Sequence, residues 1–550
     1  MSSTDSRPAK DAGAPARSPW AALAALSLGL FMIVVDTSIV SVAVPAMVAG
    51  LDTGLNAVVW VTSVYLLTYA VLMLFTSRLG DRYGHKLVFV AGLGVFTSAS
   101  LFAGLSTSVE MLITARAVQG LGAALLTPQT LTLITHLFPG GDRGRAMGIL
   151  GGASGLATVT GPLLGGVLVD GLGWQWIFYV NVLVGTTTLV LSLIVVPGGR
   201  THRTHRFDAP GILLSGAGLF LIVFGIQNGR TYNWGEFLGP ITVFHIIAAG
   251  AALFAAFVVW QHINPNEPLV PLRTFTDRNF SMGALTTAAL GFTLTGMFLP
   301  LVIYMQSALG LSPTEAGLVT APMALVSGLM GPFIGRLSDR INGRNLVVAG
   351  LLGMAAGLGI IALQARPGLP SWQLIPGLLV CGFGMGLVLV PVNNVAMGTV
   401  PAELRGTASG VFFTARQLGA VLGSAGIGVL LQTRIATATA QQADAAAEHV
   451  PALHRQDFLN HLRTADEVSG VAGTDSSSVP PAALPGQLRL LAEQAAQDGL
   501  TQATKETLIP LIVVLVLGAF AGTAMRRTTP APRSSGQPDT APLTTTKGRP

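Results

Sequence analysis

The run Ile33 to Pro45, IVVDTSIVSVAVP, sets one carboxylate, Asp36, in the middle of an apolar stretch reaching from Trp20 to Val48. As a helix this stretch is long enough to cross the ~30 Å hydrocarbon layer of a bilayer, and Asp36 is its only charge. A carboxylate near the centre of a membrane helix costs roughly 2.5–3.5 kcal/mol on insertion scales. Such a residue faces a bundle interior or a wet cavity, where it serves an ion path or a proton relay. The bland alternative is a structural Asp held by hydroxyls such as Thr37 or Ser38.

The rest of the chain is membrane material too. Of 550 residues 51% are hydrophobic and 10% charged, with mean hydropathy +0.62, where a soluble domain carries about 25% charged residues. Its 67 glycines and 32 prolines are spread through apolar stretches, which suits closely packed, kinked membrane helices. The single cysteine, Cys381, excludes an intramolecular disulfide. A net charge of +6 comes from basic residues scattered through short loops, so it reports membrane orientation and does not call for a nucleic-acid partner. The sequence has neither a Gly-x4-Gly-Lys-Ser/Thr phosphate loop nor a His-Glu-x2-His zinc motif. His202 and His205 make a poor metal site without further ligands. No metal, cofactor or enzymatic activity is expected.

Helix-length apolar runs number fourteen: six between 20 and 196, two at 210–227 and 237–260, and six between 280 and 525. Residues 1–19 form a polar tail, 197–279 carry the inserted pair with basic loops, 432–506 form a long Ala/Gln/Asp/Ser-rich external loop with a short helical pattern near 487–497, and 526–550 read as a disordered tail. With both termini cytoplasmic, 22 of the 31 Lys and Arg fall inside. That agrees with the retention of basic short loops in the cytoplasm. Arg116 and Arg416 stand within spans.

The architecture is duplicated. Ser77 to Lys86 reads SRLGDRYGHK and Gly335 to Arg344 reads GRLSDRINGR, each between adjacent spans, and Arg143-Gly144 is echoed by Arg405-Gly406. Parallel repeats of this kind build transporters with a site between halves near the midplane. An all-α polytopic fold of two six-helix bundles plus two inserted helices follows.

These residues resemble the major facilitator superfamily, in particular its fourteen-helix drug:proton antiporter branch. Leu79, Asp81, Arg82, Gly84 and Lys86 match the family's Gly-x-Leu-x-Asp-Arg-x-Gly-Arg-Lys loop, from which Ser77 and His85 depart. The second copy supplies Asp339 and Arg340, with an extra residue at Asn342. The resemblance implies a conformational latch in which Asp81 meets a helix N-terminus of the other half, the favourable end for a carboxylate. Leu112, Arg116, Gln119, Gly120 and Gly122 are similar to the family's Leu-x3-Arg-x2-Gln-Gly-x-Gly pattern. Arg116 cannot release a proton, but it can lower the pKa of a nearby carboxylate, and Asp36 is the obvious neighbour. Gly161, Pro162, Gly165 and Gly166 look like the family's antiporter motif, associated with exporters, and Ala157 stands where the motif prefers Gly. Trp174-Gln175-Trp176-Ile177-Phe178 followed by Asn181 resembles a branch marker and reads as an interfacial anchor.

Arg416, with Gln417, echoes Arg116 and is a candidate for the central path. Gln119, Tyr304, Gln306, Asn393 and Asn394 are further cavity candidates, each equally able to serve as a helix-to-helix hydrogen bond. The expected function is a proton-driven exporter of drugs, antibiotics or other amphipathic small molecules, a monomer in a bacterial plasma membrane. Asp36 and Arg116 carry proton coupling in that reading. Apolar cations and a single antibiotic are equally suited as cargo. The alternatives are a proton-coupled importer or facilitator of a metabolite on the same fold, and a membrane sensor.

Overall fold

The computed structural model describes residues 18–138, 142–198, 208–264, 268–270, 272–338, 341–401, 405–448, 450, 455, 458 and 486–526. His202, His205, Asp339, Arg340 and most of both tails lie outside the described residues. The first bundle comprises α1 (Pro19–Val42), α2 (Val44–Gly50), α3 (Leu55–Tyr83), α4 (His85–Gly104), α5 (Val109–Leu137), α6 (Asp142–Leu172) and α7 (Trp176–Val195). α1 and α2 are one span bent at Ala43, where Pro45 in the first turn of α2 restarts the helix. The inserted pair is α8 (Ala209–Asn228) and α9 (Val243–Ile263). The second bundle holds α10 (Arg278–Ile303), α11 (Pro313–Ser338), α12 (Gly343–Gln364), α13 (Ile375–Gly398), α14 (Arg405–Ala447) and α15 (Gly486–Thr523). Thirteen of these helices are long and apolar enough by length and composition to cross a membrane, and α11 fills the remaining place in the second bundle.

Three stretches differ from the sequence expectation. Residues 237–242 belong to a two-stranded antiparallel hairpin, Glu236–Leu238 with Ile241–Thr242, turned at Gly239 with φ 56°, so α9 begins six residues later than its apolar run. The 77–86 motif is mostly helical: α3 runs to Tyr83, and only Gly84, at φ 98°, breaks it before α4. The described ends of the 432–506 segment are helix, not loop. α14 continues for 43 residues, about 65 Å, and α15 returns beside it, with Arg434 Nη1 3.1 Å from Glu506 Oε2 and a cluster of Ala443, Ala447, Val450, Phe458, Ala492 and Ala495 between them. The alanines and glutamines that make the segment read as solvated are strong helix formers, and pairing gives them a face to bury.

The bundle has two distinguishable ends. At the Tyr83 end the Trp20 and Phe138 rings meet tilted with centroids 4.9 Å apart, and Lys86 Nζ donates to Leu193 O at 3.0 Å. At the Gly50 end Tyr179 donates to Gly104 O at 2.8 Å. Contacts joining the bundles gather toward the Gly50 end. Gln306 Nε2 donates to Val42 O at 3.0 Å, Thr314 N to Asp170 Oδ2 at 2.8 Å, and Ser63 pairs with Ser424 at 3.0 Å. Arg230, beyond α8, donates to Gln432 O of α14.

Close approach of backbones does the packing, because lipid removes most of the hydrophobic drive between membrane helices. α6 is gripped on two sides. A Cβ added at Gly161 would fall 1.9 Å from Ser38 Oγ and one at Gly165 2.7 Å from Ile39 Cγ1, both on α1. At Gly166 it would fall 2.5 Å from Pro313 O, and at Gly317 2.5 Å from Pro162 O, along the α6–α11 seam.

Asp208 pins the inserted pair. It caps α8 through Gly211 N at 3.0 Å and accepts from Trp260 Nε1 and Gln261 Nε2 of α9, both at 2.7 Å. Burial by itself would raise its pKa. The hydrogen bonds from Gln261, Trp260 and the Gly211 and Leu269 amides outweigh that and hold the carboxyl below its ordinary value.

Two expectations follow. Gly166→Ala overpacks the seam against backbone that has no room to give and lowers stability by about 1–3 kcal/mol, whereas Gly151→Ala, with nothing within 4 Å, stays neutral or better in the same thermal unfolding series. The depressed pKa of Asp208 means its stabilisation is present above the unfolded carboxylate pKa and lost as pH falls through the lower folded value. Protection factors for hydrogen exchange across α8 and α9, corrected for the intrinsic pH dependence of amide exchange, should therefore fall on acidification, and Asp208→Asn should remove that fall.

Candidate functional site

Five helices of the first bundle converge on Asp36, which lies about 25 Å along α1 from Pro19. Arg116 and Gln119, three apart on α5, share a face one short step from the Gly50 end. Asn181 comes from α7, Ser100 from α4, and Val61 and Tyr65 from α3. Asp36, Arg116 and Gln119 are wholly enclosed and Asn181 is 2% exposed.

The carboxylate is satisfied on both oxygens. Oδ2 accepts from Arg116 Nη1 at 2.6 Å; Oδ1 accepts from Gln119 Nε2 at 2.9 Å and from Asn181 Nδ2 at 2.7 Å. The guanidinium is held in turn: Nη1 also donates to Gln119 Oε1 at 2.6 Å, Nε donates to Val61 O at 3.2 Å, and the Tyr65 ring lies 4.1 Å beneath its carbon. Gln119 Nε2 extends the network to Ser100 Oγ at 2.7 Å. Arg116 Nη2 and the Tyr65 hydroxyl are buried without a hydrogen-bond partner among the described residues. Burying two charges is worthwhile only with close geometry and added hydrogen bonds, and the carboxylate has both. All three groups that meet the Asp36 oxygens donate to them, so a proton on either oxygen would add an O–H that faces no acceptor in the present arrangement.

Asn181, Ser100, Tyr65 and the Val61 carbonyl complete a site that the sequence showed only as Asp36 and Arg116. Asn181 lies inside the segment that resembles an anchor marker; its signal is the single amide side chain of α7. Gln119 belongs to this network, not to a cavity between bundles. Ser38 bonds the Val34 and Val35 carbonyls on its own helix, and Thr37 bonds Ile33 O, so neither hydroxyl holds Asp36.

The remaining candidates are placed elsewhere. The Tyr304 hydroxyl, inside the second bundle, is fixed to the backbone of Arg366 at 2.9 and 3.0 Å. Gln306 ties the bundles together through Val42. Both side chains are thus fastened to backbone. Asn393 is partly buried and Asn394 exposed, and neither side chain has a hydrogen-bond partner among the described residues. Arg416 is partly exposed on α14, with Tyr69 of α3 as its electrostatic neighbour. At the Tyr83 end, Asp81 has His85 Nε2 at 3.5 Å, while His85 Nδ1 meets Gln129 Oε1 at 2.7 Å and Arg82 lies over the Tyr83 ring. A small cavity between the bundles is lined by Ser41, Val44, Val59, Thr62, Thr295, Gly296, Leu299, Ser424 and Ile427, hydroxyls and apolar groups without a charge.

Residues 26–424 match the family model described as Major Facilitator Superfamily. The chain belongs to the major facilitator superfamily. Relatives within it include an uncharacterized MFS-type transporter, Rv1250, of Mycobacterium tuberculosis, 41% identical over 95% of this chain and 85% of its own. The tetracenomycin C resistance and export protein of Streptomyces glaucescens is 34% identical over 76% of this chain and 77% of its own. Among solved structures, a bacterial homolog of the human lysosomal transporter Spinster, inward-facing and unoccupied, superposes with a TM-score of 0.61 at 18% identity, covering 93% of this chain and 99% of that one. At that identity the likeness establishes the fold. Members of this superfamily move small molecules across membranes, and this chain is a multi-pass membrane transporter.

Arg116→Ala leaves Asp36 buried beside two neutral amides and should cost about 3–5 kcal/mol of stability. Arg116→Lys keeps the charge but lacks the planar fork that reaches Asp36, Gln119 and Val61 together, so thermal unfolding in detergent should place it between the two. Equal stability of all three proteins would show the pair to be dispensable for folding.

Proposed function

We propose that this transporter is a proton-driven antiporter that exports drugs, antibiotics or other amphipathic small molecules across the plasma membrane by alternating access. The observation that carries the reading is the enclosed Asp36–Arg116 pair, a carboxylate deep in the bundle whose three hydrogen-bonding partners all donate to it. The tetracenomycin C exporter and the relatives named multidrug resistance protein Stp and cephamycin export protein CmcT support the direction of transport and the class of cargo.

The packing offers a route from proton to gate. Protonation of Asp36 releases hydrogen bonds worth about 1.5–3 kcal/mol each where a charge is involved. α1 then shifts against α5 and α7. Two residues further on, Ser38 and Ile39 sit on Gly161 and Gly165 of α6, and the next face of α6 meets α11 of the second bundle. With no slack on either side of α6, movement of α1 is passed to the α6–α11 seam. If the Tyr83 end with its basic loops is cytoplasmic, the bundle contacts near the Gly50 end close the outer side, an inward-facing state. The cycle then protonates Asp36 from outside and deprotonates it inside, while the bundles rock about the site between them.

Asp36→Asn keeps the shape of the side chain and removes its titration. In acid-loaded inside-out vesicles, transport substrates should elicit proton release with the unaltered protein and none with the variant, which remains in the membrane. Undiminished substrate-dependent proton release by Asp36→Asn would refute the assignment, and accumulation of cargo in the opposite direction would favour the importer.

A further inference from the structure

Arg416 is the second arginine inside the membrane, and its surroundings are the reverse of those around Arg116. It lies about 16 Å along α14 from Arg405, near the middle of the membrane-spanning part. There α14 is pressed against α10. A Cβ on Gly291 would fall 2.1 Å from Arg416 O, and one on Gly419 would fall 2.0 Å from Ala288 O. The helix cannot roll without opening that contact, so the backbone position from which the Arg416 side chain starts is set by the scaffold. Its electrostatic neighbour is Tyr69, across the boundary between bundles, and the Tyr69 hydroxyl is engaged with Thr127 Oγ1 at 2.7 Å. Among the described residues no hydrogen bond and no carboxylate engages Arg416, and the side chain is partly exposed.

A guanidinium at this depth is costly, and a protein recovers that cost by pairing or by use. Pairing within the chain is not available from the one acid at comparable depth. Asp36 is wholly enclosed and already accepts from Arg116, Gln119 and Asn181. Among the described residues, Arg416 thus brings to the α3–α14 boundary a positive charge that no carboxylate offsets. The small cavity toward the Gly50 end along the same α3–α14 boundary is lined by apolar groups and hydroxyls and adds no negative charge.

We propose that Arg416 recognises the anionic head group, a carboxylate or sulfonate, of the transported amphiphile. The fork of a guanidinium matches the two oxygens of a carboxylate, and a charge-assisted pair in a dry site is strong and directional. This reverses the expectation of a cationic cargo that a lone membrane acid invites, because that acid is consumed inside the first bundle. The assignment rests on the export reading only for the direction of movement, not for binding.

The test uses the full chain in detergent and two xanthene dyes of opposite charge, 5-carboxyfluorescein and rhodamine 6G. Affinities are measured for the unaltered protein, Arg416→Gln, Arg416→Lys and Asp36→Asn, with thermal unfolding to establish that each is folded. Carboxyfluorescein should bind the unaltered protein and should bind Arg416→Gln about tenfold to hundredfold more weakly, with Arg416→Lys between. Rhodamine 6G should bind Arg416→Gln no more weakly than the unaltered protein. Carboxyfluorescein affinity that is the same in Arg416→Gln, undetectable in the folded unaltered protein, or lost in parallel with rhodamine 6G would overturn the proposal. Persistent proton release by Asp36→Asn with the Arg416 pattern intact would remove proton coupling and leave the anion site standing.

Discussion

The Asp36–Arg116 pair is the constraint on which the first bundle depends. An isolated charge in hydrocarbon is costly, and pairing offsets that cost only when the remaining hydrogen-bonding capacity of the pair is met. Meeting it takes an amide from α5, an amide from α7 and a carbonyl from α3. The helices are therefore held to within hydrogen-bond tolerances at one level of the bundle. Apolar packing between membrane helices does not discriminate among rotations and slides to this degree, since lipid offers each helix equally apolar neighbours. The buried polar cluster supplies the register that apolar faces lack.

Small residues convert that register into a path between bundles. α6 touches α1 on one side and α11 on the other with almost no side chain between the backbones. A helix packed this way is an incompressible spacer. Asp36 is separated from the first of these contacts by two residues of α1, less than one helical turn. The closeness of the charge to the spacer, more than the charge alone, makes a local change of protonation able to reach the boundary of the bundles in the proposed cycle.

What could be read from the sequence divides along the same physical line. Asp36 and Arg116 stand out because charge in an apolar run is rare and costly, and the duplicated loop and glycine faces stand out by spacing. The shell did not. Asn181 and Ser100 are ordinary polar residues whose role exists only once five helices meet, and the Val61 carbonyl has no side-chain signature at all. Tyr304 and Gln306 read as cavity groups because they are polar in a span, yet each is fastened to backbone. The segment after Leu431 misled for another reason. Its alanines and glutamines avoid hydrophobic burial by composition, but they are good helix formers, and the return of α15 beside α14 gives them a partner that no local pattern announces.

The two intramembrane arginines show how a duplicated scaffold divides its labour. In the first bundle the guanidinium is neutralised by a carboxylate and lies against the Tyr65 ring; in the second it faces Tyr69 without an acid. Tyr65 and Tyr69 are one helical turn apart on α3, with ring centroids separated by 6.0 Å. α3 thus runs between the two charges and borders both, and Ser63 on the same helix pairs with Ser424 on α14. On the proposed reading, loss of charge at Asp36 frees Arg116 to move against Tyr65, whereas an anion at Arg416 acts one turn away at Tyr69. In the proposed cycle both events therefore bear on the same helix at the boundary between bundles, and this is the arrangement that coupling of two flows requires: the sites remain chemically separate, and their effects meet on one rigid element.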